Sequence, residues 1–167
     1  MNVQRILVTG ATGFVGQRVC SQLESLGAVV VKTSRAPSSE PNTFQVQALG
    51  PHTEWREALQ GCTSVVHLAA RVHVMNENAV DPLFEFRQAN TEGTLQLARQ
   101  AVQCGVKRMV FISSIKVNGE AGEFTASSIP NPIDPYGISK YEAEQQLLEF
   151  SQQSGLEVVV LRPPLVY

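Results

Sequence analysis

The feature that most constrains the fold is a glycine-rich turn directly after an apolar strand near the start of the chain. Residues 5–8 read Arg-Ile-Leu-Val and predict a short buried strand. The glycines that follow are three residues apart, at Gly10, Gly13 and Gly16. The first permits a sharp turn, the second leaves room for a pyrophosphate to approach backbone N–H groups, and the third lets a helix pack closely. This pattern predicts a dinucleotide-phosphate site, with a ligand-free glycine turn as the alternative.

The rest of the chain alternates between apolar runs and helical periodicity. Strands are predicted over residues 5–8, 28–32, 43–49, 64–68, 108–112 and 157–161. Helices are predicted over residues 13–26, 53–60, 81–104 and 136–154. Two of the helices begin with an Asp-Pro pair, at Asp81 and Asp134, which suits an N-cap followed by the first helical position. The order predicts one α/β domain over residues 1–167, a doubly wound parallel sheet of the Rossmann type with helices on both faces.

Details of packing are also predicted. Helical spacing on the first helix predicts a buried stripe of Val15, Val19, Leu23 and Leu26. Trp55 is interpreted as core packing. His67 lies within an apolar strand, which favours a structural histidine over a catalytic one.

Composition excludes several classes of function. The chain has a formal net charge of −2 and no run of like charges, which argues against binding to nucleic acid or to a membrane surface. No apolar stretch approaches the length of a membrane span. Cys20, Cys62 and Cys104 are too scattered for a disulfide framework or a metal site. We therefore expect a cytoplasmic protein with reduced cysteines and no metal.

Several small or polar residues follow predicted strand ends, where parallel α/β sheets bind their ligands. They are Gly10, Ala69, Ala70, Ser114 and Arg162. Because the carboxyl ends of parallel strands share one edge, we expect these residues to lie together although they are distant in sequence.

The end of the second strand bears on the choice of nucleotide. An acidic residue there would bind the adenosine ribose hydroxyls of NAD, but the sequence reads Thr33-Ser34-Arg35. Arg35 could instead pair with a 2′-phosphate, which favours NADP over NAD. The alternative is that Arg35 is a solvated loop residue.

A Tyr-x-x-x-Lys pattern at the start of the last helix indicates proton transfer. Tyr136 and Lys140 share a helix face because they are four residues apart. A tyrosine has an ordinary pKa near 10, and a neighbouring ammonium and an oxidised nicotinamide would both favour its phenolate. Ser114 could hold a substrate hydroxyl or carbonyl against the phenol. The combination suits hydride transfer by the cofactor, coupled to proton transfer by Tyr136.

These motifs resemble the extended short-chain dehydrogenase/reductases, the branch that contains NAD(P)-dependent nucleotide-sugar epimerases and dehydratases. The matching segments are Thr9–Gly16, His67–Ala70, Asn90–Thr94, Phe111–Ser114, Pro135–Lys140 and Leu161–Pro163. The resemblance implies Ser114, Tyr136 and Lys140 as the catalytic residues. It implies a cofactor site made of Gly10, Thr12, Gly13, Phe14, Val15, Gly16, Arg35, Leu68, Ala69, Ala70, Asn90, Tyr136 and Lys140. By the same resemblance, Asn90 belongs to a structural and proton-relay set, and the two long helices 81–104 and 136–154 form a homodimer face.

The chain departs from the family pattern in four places. The acids after strand two and near Ala48 are missing, and Ile115-Lys116 replaces the Asp-Glu pair typical of 4,6-dehydratases, which disfavours dehydration. The family usually continues beyond the position of Tyr167 with a substrate-binding lobe. We therefore expect a truncated protein that holds the cofactor half and lacks most of the substrate half, and the fragment could be inactive.

The leading hypothesis is NAD(P)-dependent redox chemistry at C4 of a UDP-linked sugar, by a 4-epimerase or a dehydrogenase/4-keto reductase. The stretches 71–75 and 114–119 resemble bacterial enzymes of surface-polysaccharide synthesis, and Arg71 and His73 either face the sugar or belong to a loop without contact. Residues 119–135 are interpreted as a substrate-facing loop. The alternatives are an NADP-dependent ketone or aldehyde reductase and a non-catalytic cofactor-sensing module.

Overall fold

A computed structural model of the chain describes residues 3–72 and 80–166. The strands are β1 (Arg5–Thr9), β2 (Val29–Ser34), β3 (Thr43–Gln45), β4 (Ser64–His67), β5 (Arg108–Ile112) and β6 (Glu157–Leu161). The helices are α1 (Phe14–Ser25), α2 (Arg56–Leu59), α3 (Pro82–Phe86), α4 (Gly93–Gln103) and α5 (Pro135–Ser154). A π-helical turn (Arg87–Glu92) joins α3 to α4, and a 3₁₀ turn (Ile115–Val117) follows β5.

The strands form one parallel sheet in the order β3-β2-β1-β4-β5-β6. The chain runs outward from β1 through β2 to β3 and then crosses back to β4 on the other side of β1, so the strand order reverses there. The glycine turn and the segment after β4 are therefore neighbours at the carboxyl edge, the usual ligand-binding position in such sheets. This topology confirms the predicted Rossmann-type fold.

Helices cover both faces of the sheet because side chains alternate along each strand. Leu7 points into a large core with α2, α4 and α5, in which Trp55 is only 2% exposed. Ile6 and Val8 point the other way, into a smaller cluster against α1. Towards the far edge this second face is less covered, since Val159 and Leu161 of β6 remain 41% and 48% exposed.

The predicted inward stripe of α1 is partly wrong. Val15 is 37% exposed and Leu26 is 74% exposed. The residues that face the sheet are Gly16, Val19, Cys20 and Leu23. The helix is rotated from the predicted orientation because its only glycine, Gly16, is the residue that touches the preceding turn.

Three element boundaries also differ from prediction. The predicted strand over residues 43–49 ends at Gln45, because β2 ends at Ser34, whose carbonyl accepts the last ladder hydrogen bond, from Val46 N–H at 2.9 Å. The predicted helix over 53–60 shrinks to α2, since the Thr53 hydroxyl is used in the preceding loop by Gly50 N–H and the Ala48 carbonyl. The predicted helix over 81–104 is interrupted by the π-helical turn.

Both predicted helix starts are confirmed. The Asp81 carboxylate accepts a hydrogen bond from Phe84 N–H at 3.0 Å, and the Asp134 carboxylate accepts one from Gly137 N–H at 2.6 Å. Of the helices in the described ranges, none combines the length and apolarity needed to cross a bilayer.

Candidate cofactor and catalytic site

The glycine turn forms a tight cradle at the carboxyl end of β1. Gly10 adopts a left-handed φ of +68°, and a Cβ there would lie 2.8 Å from Ala69 N. A Cβ at Gly16 would overlap the Gly10 carbonyl oxygen, so Gly16 lets α1 pack on the turn. Gly13 is the N-cap of α1 and supplies no side-chain cap. The first N–H groups of α1 therefore lack partners within the helix, and they are suited to a phosphate.

The other predicted cofactor residues lie around this cradle. Phe14 and Val15 are exposed at the start of α1, and residues 68–70 are half-buried where the chain leaves β4. Leu68 N–H still donates to the Thr9 carbonyl, at 3.3 Å, before the backbone passes Gly10. Arg35 is exposed directly after β2, and its backbone carbonyl accepts from Gln45 Nε2 at 3.0 Å.

His67 forms a buried support beneath the cradle. Its Nδ1 lies 2.6 Å from the Thr9 hydroxyl, and its Nε2 lies 3.0 Å from the Thr94 hydroxyl. Thr9 Oγ1 also accepts from Ala69 N–H, so its hydroxyl joins the ring to the backbone that follows β4. Burial lowers the pKa of His67 to about 3, so the ring is neutral. The predicted structural role is confirmed.

Asn90 lies in the π-helical turn and is 1% exposed. Its amide donates to the Arg71 carbonyl and to the Ser139 hydroxyl, both at 3.0 Å, and its oxygen accepts from Arg71 N–H at 2.8 Å. Both amide protons are therefore occupied in tying the loop after β4 to α5. This geometry favours the structural part of the expected role over proton relay.

Ser114 and Tyr136 meet at the same edge of the sheet. Ser114 caps the 3₁₀ turn by accepting from Lys116 N–H at 3.2 Å, and Tyr136 is the second residue of α5. Burial raises the pKa of Tyr136 above 10.0, a hydrogen bond with Ser114 partly opposes this rise, and the charge of Asp134 adds to it. Because Ser114 Oγ accepts from the backbone, its proton remains available for the phenol or for a substrate oxygen.

Lys140, expected from its spacing to lower the pKa of Tyr136, packs against Phe111 of β5. Its ammonium lies over the Phe111 ring, with Nζ 4.1 Å from the centroid, and the side chain is 1% exposed. Burial lowers the pKa of Lys140 to about 7, and the nearby Glu144 opposes that shift. The attraction of the ammonium to the ring face explains its position.

Sequence reasoning missed Glu144, a buried carboxylate one helical turn beyond Lys140. Arg162 binds it through Nε, 3.0 Å from Oε1, and through Nη2, and also reaches Asn118 Oδ1 at 3.3 Å. The sequence does indicate that Glu144 lies near the site, because Tyr136, Lys140 and Glu144 are four residues apart and share one helix face. The ion pair joins α5 to the end of β6.

Part of the predicted substrate-facing loop borders a cavity of about 520 Å³ beside the end of β6. Phe124 and Thr125 of the loop line it, together with Ile115 and Arg162. His73, expected like Arg71 either to face the sugar or to belong to a loop without contact, lies outside the described residues. Within residues 3–72 and 80–166, no cluster of three or more His, Cys, Asp or Glu could hold a metal ion.

Comparison with known proteins gives a consistent result. Residues 6–167 match the family described as the NAD dependent epimerase/dehydratase family. The chain is 42% identical over 169 residues to a UDP-glucose 4-epimerase of Vibrio cholerae, covering 97% of this chain and 52% of that protein.

Solved structures show the same likeness. A short-chain dehydrogenase/reductase superfamily protein of Agrobacterium tumefaciens, with bound NAD, is 31% identical with a TM-score of 0.77, over 95% of this chain and 48% of that one. UDP-glucose 4-epimerase of Thermotoga maritima, with UDP-glucose, is 29% identical with a TM-score of 0.76, and the match covers 95% of this chain and 55% of that one. RMD of Pseudomonas aeruginosa, complexed with NADPH, is 29% identical with a TM-score of 0.73, over 96% and 54%. The chain thus spans about half the length of the proteins it matches.

Proposed function

Because the chain belongs to the NAD dependent epimerase/dehydratase family, we propose that it forms the cofactor-binding and proton-transferring part of an enzyme that acts at C4 of a UDP-linked sugar. The reaction is a 4-epimerisation or an oxidation or reduction at C4. The observation that carries the proposal is that Ser114 and Tyr136, whose pKa Ser114 lowers, both lie at the carboxyl edge of the sheet, where the glycine cradle also lies.

The residues at this edge fit a nicotinamide dinucleotide. The cradle around Gly10 has no room for a Cβ, and the start of α1 offers uncapped N–H groups to a pyrophosphate. Gly10, Thr12, Gly13, Phe14, Val15 and Gly16 would hold the phosphates, and Leu68, Ala69 and Ala70 would pass beneath the dinucleotide. Relatives of known structure carry either NAD or NADPH, and Arg35 after β2 is the basis for a preference for NADP.

Each catalytic residue has one role in this chemistry. Ser114 Oγ donates its proton to the sugar oxygen and orients it. Tyr136 would remove the proton from the C4 hydroxyl in oxidation and return it to the C4 ketone in reduction. A nicotinamide held at this edge would accept the hydride in the first case and supply it in the second. The Lys140 ammonium, buried four residues along α5, would bind the ribose hydroxyls next to the nicotinamide and favour the phenolate of Tyr136.

Lys116 argues against a dehydratase. It stands where those enzymes have acid/base carboxylates, and its ammonium pairs with Glu120 and Asp134. Loss of water would need a second acid/base pair, and Lys116 cannot supply it.

The resemblance of residues 71–75 and 114–119 to bacterial enzymes of surface-polysaccharide synthesis supports a place in that chemistry. We expect a cytoplasmic homodimer with α4 and α5 at its interface. The free thiols of Cys20, Cys62 and Cys104 are consistent with a reducing compartment.

Turnover of the whole gene product tests the proposal. UDP-glucose, UDP-glucuronic acid and their 4-epimers are incubated with NAD or NADP, and products are separated by chromatography. Tyr136→Phe should reduce turnover by roughly a hundredfold or more while the cofactor still binds, because only the phenol hydroxyl is removed. Unchanged turnover in Tyr136→Phe would exclude this mechanism, and turnover of simple ketones alone would favour the reductase.

A further inference from the structure

Lys116 and Asp134 lie at the two ends of an irregular segment that separates the proposed catalytic residues. Ser114 is two residues before Lys116, and Tyr136 is two residues after Asp134. Residues 118–134 between them contain neither helix nor strand. Despite this, Lys116 Nζ lies 3.2 Å from Asp134 Oδ2, so an ion pair closes the segment at its base.

Each oxygen of the Asp134 carboxylate has a different partner. Oδ1 accepts from Gly137 N–H at 2.6 Å and caps α5, while Oδ2 receives the Lys116 ammonium. The side chains of Lys116 and Asp134 are 38% and 31% exposed, so the ion pair is only partly shielded from water. Asp134 therefore joins the start of the catalytic helix to the turn that follows β5.

Lys116 reaches both catalytic segments. Its backbone N–H donates to Ser114 Oγ at 3.2 Å, which orients the Ser114 hydroxyl. Its carbonyl oxygen lies so close to α5 that a Cβ at Gly137 would come within 2.8 Å of it. Its ammonium then reaches Asp134, so one residue contacts Ser114 at one end and the start of α5 at the other.

We propose that Lys116 and Asp134 are positioning residues, whose ion pair holds the Ser114 hydroxyl in register with the Tyr136 phenol. The proposal rests on the proposed function, because it assigns this geometry a catalytic purpose. The ion pair also explains why residue 116 is a lysine here, whereas related dehydratases carry an acidic residue at this position. Glu120 is the nearer partner of the ammonium, at 2.5 Å against 3.2 Å for Asp134, but it lies only four residues along the chain and joins nothing to α5.

Substitutions at Lys116 test the ion pair, and Glu120→Gln is the matched control. In the whole gene product, Lys116→Met should lower kcat by about tenfold with KM nearly unchanged, because a small displacement of a catalytic group has effects of this order. Lys116→Arg should restore most of the lost kcat, since it keeps the charge and can reach Asp134. Glu120→Gln should behave like the wild type.

Asp134→Asn separates the ion pair from the helix cap, because asparagine caps helices as well as aspartate does. It should lower kcat as Lys116→Met does, and the double variant should lose no more than either single variant. Since the charge of Asp134 also raises the pKa of Tyr136, kcat is compared at the pH plateau of each variant. Gly137→Ala, which wedges α5 away from the Lys116 carbonyl without changing any charge, should give the same loss.

Amide hydrogen exchange provides a readout that does not depend on turnover. The N–H groups of Val117 and Asn118 donate within the 3₁₀ turn, and Asn131 N–H donates to the Val117 carbonyl. These amides should exchange faster in Lys116→Met and in Gly137→Ala but not in Glu120→Gln.

The outcomes separate the two proposals. If the wild type converts no UDP-sugar, the proposed function is overturned. Amide hydrogen exchange then still tests whether the ion pair holds the turn after β5. If Lys116→Met keeps the kcat of the wild type, the positioning role is overturned, whether or not its amides exchange faster. A loss of kcat that Arg does not restore, or that Glu120→Gln shares, would also overturn it.

Discussion

Lys140 carries a positive charge that is almost entirely buried, and this should have a measurable effect on stability. Its pKa is about 7 in the folded chain against an ordinary 10.5. Between these values the unfolded chain binds the proton and the folded chain does not, so stability rises with pH from about 7 to 10.5. Below about 7 both states carry the charge, and its burial opposes folding in full.

We predict that Lys140→Met stabilises the chain by about 2 kcal/mol at pH 7, because an apolar side chain removes the cost of burying the charge. Glu144 keeps its partner Arg162 in this variant, so no new unpaired carboxylate arises. Urea unfolding at pH 7 and pH 9.5 measures the gain, which should shrink at the higher pH. Lys107→Met, at an exposed lysine, is the control, and a destabilised Lys140→Met would contradict the prediction.

Arg35 should decide between the two nicotinamide cofactors. Removing a guanidinium that pairs with a 2′-phosphate costs about tenfold in affinity for NADP, whereas NAD has no such phosphate to lose. Arg35→Ala is therefore expected to weaken NADP binding about tenfold and NAD binding little, by calorimetric titration. Arg99→Ala on α4 serves as the control, and equal losses for both cofactors would show that Arg35 does not bind the phosphate.

At the scale of elements, the two glycines at the start of α1 have separate roles: Gly16 serves the folding of the chain and Gly13 serves cofactor binding. A Cβ at Gly16 would overlap the backbone of the turn, while one at Gly13 would meet only the Gly10 carbonyl oxygen, at 3.3 Å. Gly16 is therefore required by the packing of α1, and Gly13 is free to serve the ligand.

Two alanine variants test this separation. Gly16→Ala should destabilise the fold by about 2 kcal/mol or more, because overpacking against backbone has no easy relief. Gly13→Ala should cost less than about 1 kcal/mol in stability but weaken NAD binding, since its methyl group would occupy the place of a phosphate. Urea unfolding and NAD titration on both variants give the comparison. Similar stability losses in the two variants would refute it.

The elements also show what sequence could predict. Apolar runs predicted β4, β5 and β6 within a residue of their ends, and the Asp-Pro pairs predicted the starts of α3 and α5. The π-helical turn was not predicted, and within it Asn90 bonds to distant Ser139 and to the loop at Arg71. Local periodicity contains no information about such contacts.

At the scale of the whole molecule, the sequence names the candidate site residues but does not give their geometry. The shared carboxyl edge follows from parallel topology alone, so Gly10, Ser114 and Tyr136 could be placed together from sequence. The position of Lys140 over Phe111 and the pairing of Glu144 with Arg162 depend on three-dimensional packing between separate elements. Charge spacing along a helix shows which residues share a face, but it does not show which partner each residue selects.

The half-covered face of β6 has a practical consequence for handling the chain in solution. Within the described ranges, β6 is an outer strand of the sheet, and Val159, Leu161 and Leu165 are 41%, 48% and 82% exposed. An outer strand with apolar side chains readily pairs with other chains. Expressed alone, these 167 residues should form soluble aggregates at rising concentration, visible by light scattering. Val159→Thr together with Leu161→Thr should reduce the scattering while preserving the far-ultraviolet circular dichroism spectrum.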